Sequence, residues 1–224
     1  MVNESILERS LLLIIACALS AVASGQQFPE PMTKLIVRLQ SPDVPEESFA
    51  AKPKTTYRAG NSYCRTEELP DPEQGIHGLL IINEPDVWMV NLFIKTGQHF
   101  VDPGPTFNCR LPIFRGEQVK SGADLKSPLL ELEFGRELAY FKEKRAMQKQ
   151  GPVLRDKPTS VYTSDVGDSQ LLLFTTGTPE RPWAVARQHG NSREIFWYVA
   201  YEQLPFDAKL FARPEGIKIE EGKQ

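Results

Sequence analysis

Residues 77–105 read HGLLIINEPDVWMVNLFIKTGQHFVDPGP, in which three apolar runs alternate with turn residues. The runs cover residues 77–83, 87–94 and 99–102, and they are separated by Glu84-Pro85-Asp86 and by the segment 95–98. β-Branched and aromatic residues between Pro, Gly, Asn and Asp are typical of strands joined by tight turns. The stretch therefore predicts three consecutive strands.

Both faces of the middle strand are apolar. Alternation puts Val87, Met89 and Phe93 on one face, and on the other face it puts Trp88, Val90, Leu92 and Ile94. A strand of this kind belongs to a sheet that is covered on both sides, at least at its centre. Two interpretations stay open, because the cover can form a filled sandwich core or leave an apolar pocket.

The length and composition fit one large β-rich domain or two small ones. The 224 residues are 41% hydrophobic, which is enough for a sizeable core. There are 26 basic and 29 acidic residues, the net charge is -3, and no Lys/Arg cluster is present. We therefore expect a single domain over residues 24–224 that acts as a monomer and has no nucleic-acid partner.

The N-terminal residues have the features of an export signal. The apolar run over residues 11–22 is short for a membrane span, and Ala21-Val22-Ala23 before Ser24 fits the pattern of signal cleavage. We predict that residues 1–23 are a signal peptide, and that the protein is periplasmic or secreted in the bacterial cell envelope. The residues before Cys17 also resemble a lipoprotein box, so lipidation of Cys17 is an alternative.

Removal of the signal leaves two cysteines, Cys64 and Cys109. Exported proteins with an even number of cysteines usually oxidise them, so we predict a disulfide between these two. Two buried free thiols are the alternative. A metal site is not expected, because neither cysteine has a CxxC partner or a histidine at ligand spacing.

Upstream of the central stretch, Gly60-Asn61 predicts the turn of a hairpin with strands over residues 54–59 and 62–68. Residues 32–40 are compatible with a strand or a helix. Downstream, residues 106–127 predict an extended loop that carries Cys109, and loops of this length are often functional.

Residues 128–150 have one apolar side, begin with Pro and are followed by Gly151-Pro152, which predicts an amphipathic helix. Four runs over residues 160–203 then alternate with polar turns. They predict an antiparallel meander, because consecutive strands with short connections pair with each other.

Four short segments share patterns with a known family. They are the hairpin over residues 57–65 with Arg58 and Arg65, the Trp-containing strand Val87-Trp88-Met89-Val90, the strand TPERPWAVAR over residues 178–187, and the closing segment over residues 204–216. In these patterns and in the order of its elements, the chain resembles the LolA/LolB-like family of periplasmic lipoprotein carriers. The resemblance spans residues 33–220.

The resemblance implies an α+β fold that is mostly antiparallel β, a curved half-open barrel with one main amphipathic helix over its concave face. Together with the apolar strand faces, it implies an exported protein that binds a lipid or a lipidated protein in an apolar cavity, as carrier or sensor. The candidate cavity residues are Leu80, Ile82, Trp88, Val90, Leu92, Leu130, Phe134, Leu138 and Phe141. A protein-interaction or scaffold module with an envelope protein as partner is the alternative function.

No catalytic constellation is evident in the sequence. His99 and Asp102, with His77 one hairpin earlier, permit a metal or acid/base site, but alternation puts His99 and Asp102 on opposite faces. A GxSxG motif and a Gly-rich phosphate loop are absent. We therefore expect a protein without catalysis, cofactor or metal. A hydrolase or metal enzyme with an unrecognised site is a third possibility.

Export predicts that the purified envelope-fraction protein begins at Ser24. Intact-mass spectrometry checks this, and the expected mass is that of the chain without residues 1–23. A cytosolic protein that retains Met1 would contradict export, and a diacylated Cys17 would identify the lipoprotein alternative.

Overall fold

A computed structural model of the chain describes residues 31–102, 104, 109 and 132–222. The predicted signal peptide with Cys17, Ala23 and Ser24 lies outside the described residues. So does the predicted loop over residues 106–127, except for Cys109.

Twelve strands form one open sheet. In chain order they are β1 (Met32–Gln40), β2 (Lys54–Ala59), β3 (Tyr63–Glu67), β4 (Gly78–Asn83), β5 (Asp86–Asn91), β6 (Thr96–Val101), β7 (Met147–Gln150), β8 (Ser160–Val166), β9 (Ser169–Thr176), β10 (Arg181–His189), β11 (Ser192–Leu204) and β12 (Lys218–Glu221). Their order across the sheet is β12-β6-β5-β4-β3-β2-β1-β11-β10-β9-β8-β7. Only the β12–β6 pair is parallel among the described strands.

The predicted fold class, mostly antiparallel β in an open α+β half-barrel with one main helix, is confirmed. The hairpin at Gly60-Asn61 and the meander over residues 160–203 are confirmed as well. Residues 32–40, which the sequence left open, are a strand whose Leu35, Val37 and Leu39 are buried at every second position. This period of two is that of a strand with one covered face.

The strand β5 ends earlier than the sequence predicts. It stops at Asn91, whose Oδ1 accepts hydrogen bonds from the backbone N–H groups of His77 and Phe93. Lys95 has a positive φ of 56° and completes the turn, so β6 begins at Thr96. The side chain of Asn91 thus forms the turn, because asparagine readily bonds to nearby backbone groups.

The helix is shorter than the sequence predicts. The helix α1 covers Glu137–Glu143, and Met147–Gln150 form the edge strand β7. Gly135 (φ 88°) precedes α1 and Arg145 (φ 54°) follows it, and a left-handed residue interrupts a right-handed helix. The prediction of one helix over residues 128–150 is therefore wrong, since backbone pairing of β7 with β8 outweighs helix propensity at its C-terminal end. Residues 128–131 lie outside the described residues.

We call the face of the sheet that packs against α1 the helix face, and the other face the opposite face. The helix face carries one cluster under α1, built from Leu35, Leu132, Phe134, Phe141, Leu173, Phe196 and others. Its other cluster surrounds Cys64, Ile82 and Cys109. The opposite face carries a cluster around Trp88 and Phe211, which the segment after β11 covers, and a second around Trp197 and Ala184. None of the helices described is long and apolar enough to span a membrane.

A buried glutamate connects α1 to the sheet. Glu137 is fully buried, and its Oε1 accepts hydrogen bonds from the Tyr198 hydroxyl at 2.6 Å and from the Gly135 N–H at 2.8 Å. Burial raises the pKa of the Glu137 carboxyl, and these two hydrogen bonds oppose the shift in part. The helix is thus held by a group whose charged form is disfavoured in the folded state.

A buried arginine holds the turn that precedes α1. Arg58 Nη1 lies 2.5 Å from Glu133 Oε2 and donates to the Phe134 carbonyl oxygen at 3.3 Å. Removing one partner of such a buried pair leaves an uncompensated charge, which costs about 3 to 5 kcal/mol. The polar residues beneath α1 therefore form a structural cluster that fixes the helix against β2 and β11.

The predicted disulfide is confirmed. Cys64 on β3 and Cys109 are bonded, with their Cα atoms 5.6 Å apart and a sequence separation of 45. Both side chains are buried on the helix face. The bond ties residue 109 to the centre of the sheet.

Replacing both cysteines, as Cys64→Ala with Cys109→Ala, should lower the free energy of unfolding by about 3 to 4 kcal/mol, because the unfolded chain regains the entropy of the closed loop. Urea denaturation of the oxidised wild type and the double variant measures this. Equal midpoints, or full thiol labelling of the native unreduced wild type, would contradict the bridge.

The raised pKa of Glu137 predicts a pH-dependent stability. Below about pH 4.3 the carboxyl is protonated in both states, so its contribution is fully present. As the pH rises through the raised pKa of the folded state, the unfolded chain ionises more readily and stability is lost. The variant Glu137→Gln should lack this loss in urea denaturation between about pH 4 and pH 8.

The matched control for this experiment is Glu143→Gln, because Glu143 lies on the same helix with a side chain that is 69% exposed. It should keep the wild-type pH dependence. An unchanged pH dependence in Glu137→Gln would show that Glu137 does not titrate at a raised pKa.

Candidate ligand-binding groove

The nine predicted cavity residues do not line one cavity. Leu80 and Ile82 lie on the helix face beside the disulfide, and Phe134, Leu138 and Phe141 pack in the cluster under α1. The remaining described candidates, Trp88, Val90 and Leu92, pack on the opposite face against the segment after β11. Leu130 lies outside the described residues.

The pairing register separates these residues. Trp88 is opposite Ile81 and Val90 is opposite Leu79, whereas Leu80 is opposite Met89. Directly paired residues share a face, so Leu80 and Trp88 must lie on different faces. Alternation within each strand was visible in the sequence, but the register between β4 and β5 depends on where the turn ends.

An apolar groove lies elsewhere, on the opposite face over β8–β11. It has a volume of about 250 Å³, and its walls are Pro152, Leu154, Val161, Leu172, Phe174, Ala184, Arg193, Ile195 and Trp197. The segment between β7 and β8 forms one wall, and the Trp183 indole N–H fixes it by donating to the Leu154 carbonyl oxygen at 3.3 Å. We call this pocket the apolar half of the Trp197 groove.

A second pocket adjoins it and shares Arg193, Ile195 and Trp197. Its volume is about 360 Å³, and its other lining residues are Arg38, Leu39, Gln40, Ser41, Pro42, Val44, Glu46, Ala51 and Arg155. We call this pocket the arginine half of the Trp197 groove. The two halves meet at Trp197, whose indole N–H donates to Gln40 Oε1 at 2.7 Å.

Arg155 lies on the aromatic wall between the two halves. Its guanidinium carbon is 3.9 Å from the centre of the Trp197 ring, a cation–π contact. Arg155 and Asp156 occupy a tight turn closed by two hydrogen bonds between Leu154 and Lys157, and both have positive φ (48° and 60°). This turn conformation normally favours Asn-Gly or Asp-Gly.

None of the nine candidate cavity residues predicted from the sequence lines this groove. Period-two alternation puts Phe196 and Tyr198 on one face of β11 and Trp197 on the other, so Trp197 is not part of their cluster. The usable signal was the apolar character of both faces of β9–β11, together with Arg155 in a short connection. The shape of that connection could not be read from residue types.

The sequence places His99 and Asp102 on opposite faces, and His99 bonds to two other carboxylates. His99 Nε2 is 2.7 Å from Asp86 Oδ1, its Nδ1 is 2.8 Å from Glu221 Oε2, and its ring stacks on Trp88. The hydrogen bond to Asp86 raises the pKa of His99. The described residues contain no group of three or more His, Cys, Asp or Glu suited to a metal ion. His99 thus joins β12 to β5 and β6.

A polar pocket of about 380 Å³ lies near the β9–β10 turn, around Glu180. Its carboxylate accepts hydrogen bonds from Tyr162, Thr175 and Gln148. Because neighbouring side chains satisfy this carboxylate, Glu180 acts here as a structural acceptor. The Trp197 groove is therefore the stronger candidate for a ligand.

Comparisons with known proteins assign no family to the chain. No protein-family model and no curated protein matches the sequence. A solved structure described as an uncharacterized conserved protein from Thermus thermophilus matches with a TM-score of 0.47 and 10% identity, over 93% of this chain and 99% of that one. PNGF-II in the C2 space group matches with a TM-score of 0.33 and 9% identity, over 86% of this chain and 31% of PNGF-II.

Proposed function

We propose that the chain is an exported, non-catalytic protein of the bacterial cell envelope that binds a lipid or the acyl chain of a lipidated protein. Its binding site is the Trp197 groove, and its role is that of a carrier or sensor. The observation that carries this proposal is the apolar half of the groove, which is lined almost entirely by hydrophobic side chains.

The groove suits an acyl chain for two reasons. Its walls are aliphatic and aromatic, so they offer few hydrogen-bond partners and little to orient a polar substrate. Each buried methylene of a ligand contributes about 0.8 kcal/mol, so even a short chain gains useful affinity. Two carboxylates elsewhere in the described residues, Glu137 under α1 and Glu180 near the β9–β10 turn, accept hydrogen bonds from neighbouring side chains.

The disulfide supports export. Bonds of this kind persist in oxidising compartments such as the periplasm and are rare in the cytosol. The bond between Cys64 and Cys109 is therefore compatible with a secreted or periplasmic protein.

A protein-interaction module remains the second candidate. Phe93 and Ile94 are 50% and 59% exposed in the β5–β6 turn, and Met89 on β5 is 47% exposed. Contiguous exposed apolar side chains are typical of contact sites for protein partners, and Phe93 and Ile94 are adjacent in sequence. An envelope protein bound there, without any lipid in the groove, would favour this function.

Lipid binding predicts that the neutral solvatochromic dye Nile red binds saturably and is displaced by a single-chain amphiphile. The variant Leu154→Glu should weaken binding about tenfold or more, because it puts a carboxylate against the apolar wall. Fluorescence titration measures affinity, and urea denaturation reports on folding. Leu154 lies in a surface connection, so we expect the urea unfolding midpoint of Leu154→Glu to stay close to that of the wild type.

Two further variants locate the site. Met89→Glu adds the same charge at an exposed apolar residue on the other half of the sheet, and should leave dye binding unchanged. Leu138→Glu tests a site under α1. Weaker binding in Leu138→Glu with unchanged folding would move the ligand to the helix face, and absence of saturable binding in the wild type would refute the lipid-binding function.

A further inference from the structure

We propose that the arginine half of the Trp197 groove binds the anionic head group of a single-chain amphiphile whose chain lies in the apolar half. The ligand class is a long-chain carboxylate or phosphate monoester. This inference rests on the proposed function and adds the chemistry of the head group to it.

The arginine half of the Trp197 groove carries more positive than negative side chains. Three arginines line it, namely Arg38, Arg155 and Arg193, against one carboxylate, Glu46. Glu46 lies 3.8 Å from Arg38 in an exposed pair, which contributes little in water. The pocket is therefore positively charged at every pH at which arginine is protonated.

Two of these arginines have unused N–H hydrogen-bond donors. Arg193 donates to Gln188 Oε1 at 3.0 Å, and Arg155 lies over the Trp197 ring. Within the residues that the structure describes, neither forms a salt bridge with a carboxylate. A guanidinium has five N–H donors, so both side chains can still donate a bidentate pair of hydrogen bonds to an oxyanion.

The turn that carries Arg155 determines where its guanidinium lies. A non-glycine residue in the left-handed region costs about 1 kcal/mol or more, and here two such residues are adjacent, Arg155 and Asp156. The turn directs the Arg155 guanidinium onto Trp197, at the junction of the two halves. An arginine held at the end of an apolar groove is placed where the head group of a bound chain must emerge.

The size of the groove selects the number of chains. The apolar half has a volume of about 250 Å³, which is just below the usual range of ligand pockets, about 300 to 1,000 Å³. One acyl chain fits such a space, and a two-chain phospholipid does not. Trp197, Ile195 and Arg193 line both halves, so a chain in the apolar half ends beside the arginines of the other half.

The experiment compares three ligands with the same chain and different head groups: dodecyl phosphate, dodecylphosphocholine and dodecyltrimethylammonium. Each displaces Nile red from the full-length protein below its micelle concentration. We expect dodecyl phosphate to bind at least about tenfold more tightly than dodecylphosphocholine, and the cation to bind most weakly. The preference should shrink as salt is raised, because the head-group site is partly open to solvent.

Arg155→Gln with Arg193→Gln should abolish this preference, and Arg155→Gln alone, which changes no wall residue of the apolar half, should reduce the preference and keep Nile red binding. The matched control, Arg145→Gln with Arg213→Gln, removes the same charge at two exposed positions away from the groove and should keep the preference. Inorganic phosphate at the same concentration should not displace the dye, since a free anion lacks the chain. Displacement by inorganic phosphate as strong as that by dodecyl phosphate would overturn the amphiphile assignment.

Failures of the two proposals are distinguishable. Equal affinity for the three head groups, or a preference that survives in Arg155→Gln with Arg193→Gln, would overturn the head-group site and leave the lipid-binding function standing. No binding of any chain to the wild type would overturn both.

Discussion

The pairing of β1 on both of its sides is the constraint on which the rest of the structure depends. Its neighbour β2 is the next strand along the chain, whereas β11 is more than 150 residues away in sequence. On either side of β1, the strands β2 to β6 and β7 to β11 form local meanders, and β12 adds to the outer edge of β6. Without β1 the two meanders would be separate small sheets with exposed edges, so the domain closes only when its first described strand meets one of its last.

The pairing of β1 with β2 and β11 also determines how the faces of the sheet are covered. One helix and its preceding turn cover the helix face of one half, and the segment after β11 covers the opposite face of the other half. Among the residues that the structure describes, the short connection around Leu154 alone covers the opposite face of β8–β11. A groove remains there because the cover is narrower than the apolar surface beneath it.

Local patterns predicted most of the fold, and interactions between distant residues account for the errors. The hairpin at Gly60-Asn61 and the final meander follow from turn chemistry and alternation, which act within a few residues. The helix was overestimated because edge pairing of Met147–Gln150 with β8 is invisible in the sequence. The cavity residues were misassigned because sharing a face requires the register between strands, and β5 ends at Asn91 through a side-chain bond. The Trp197 groove depends on a turn whose residues, Arg155 and Asp156, are atypical for their backbone conformation.

The two outer strands of the sheet have a consequence for self-association. Each is only four residues long, and they read MQKQ in β7 and KIEE in β12. Unpaired edges recruit further strands and can seed cross-β aggregates, and short edges that carry charge disfavour this. The two edges of the sheet are thus poor templates for backbone pairing between copies of the chain.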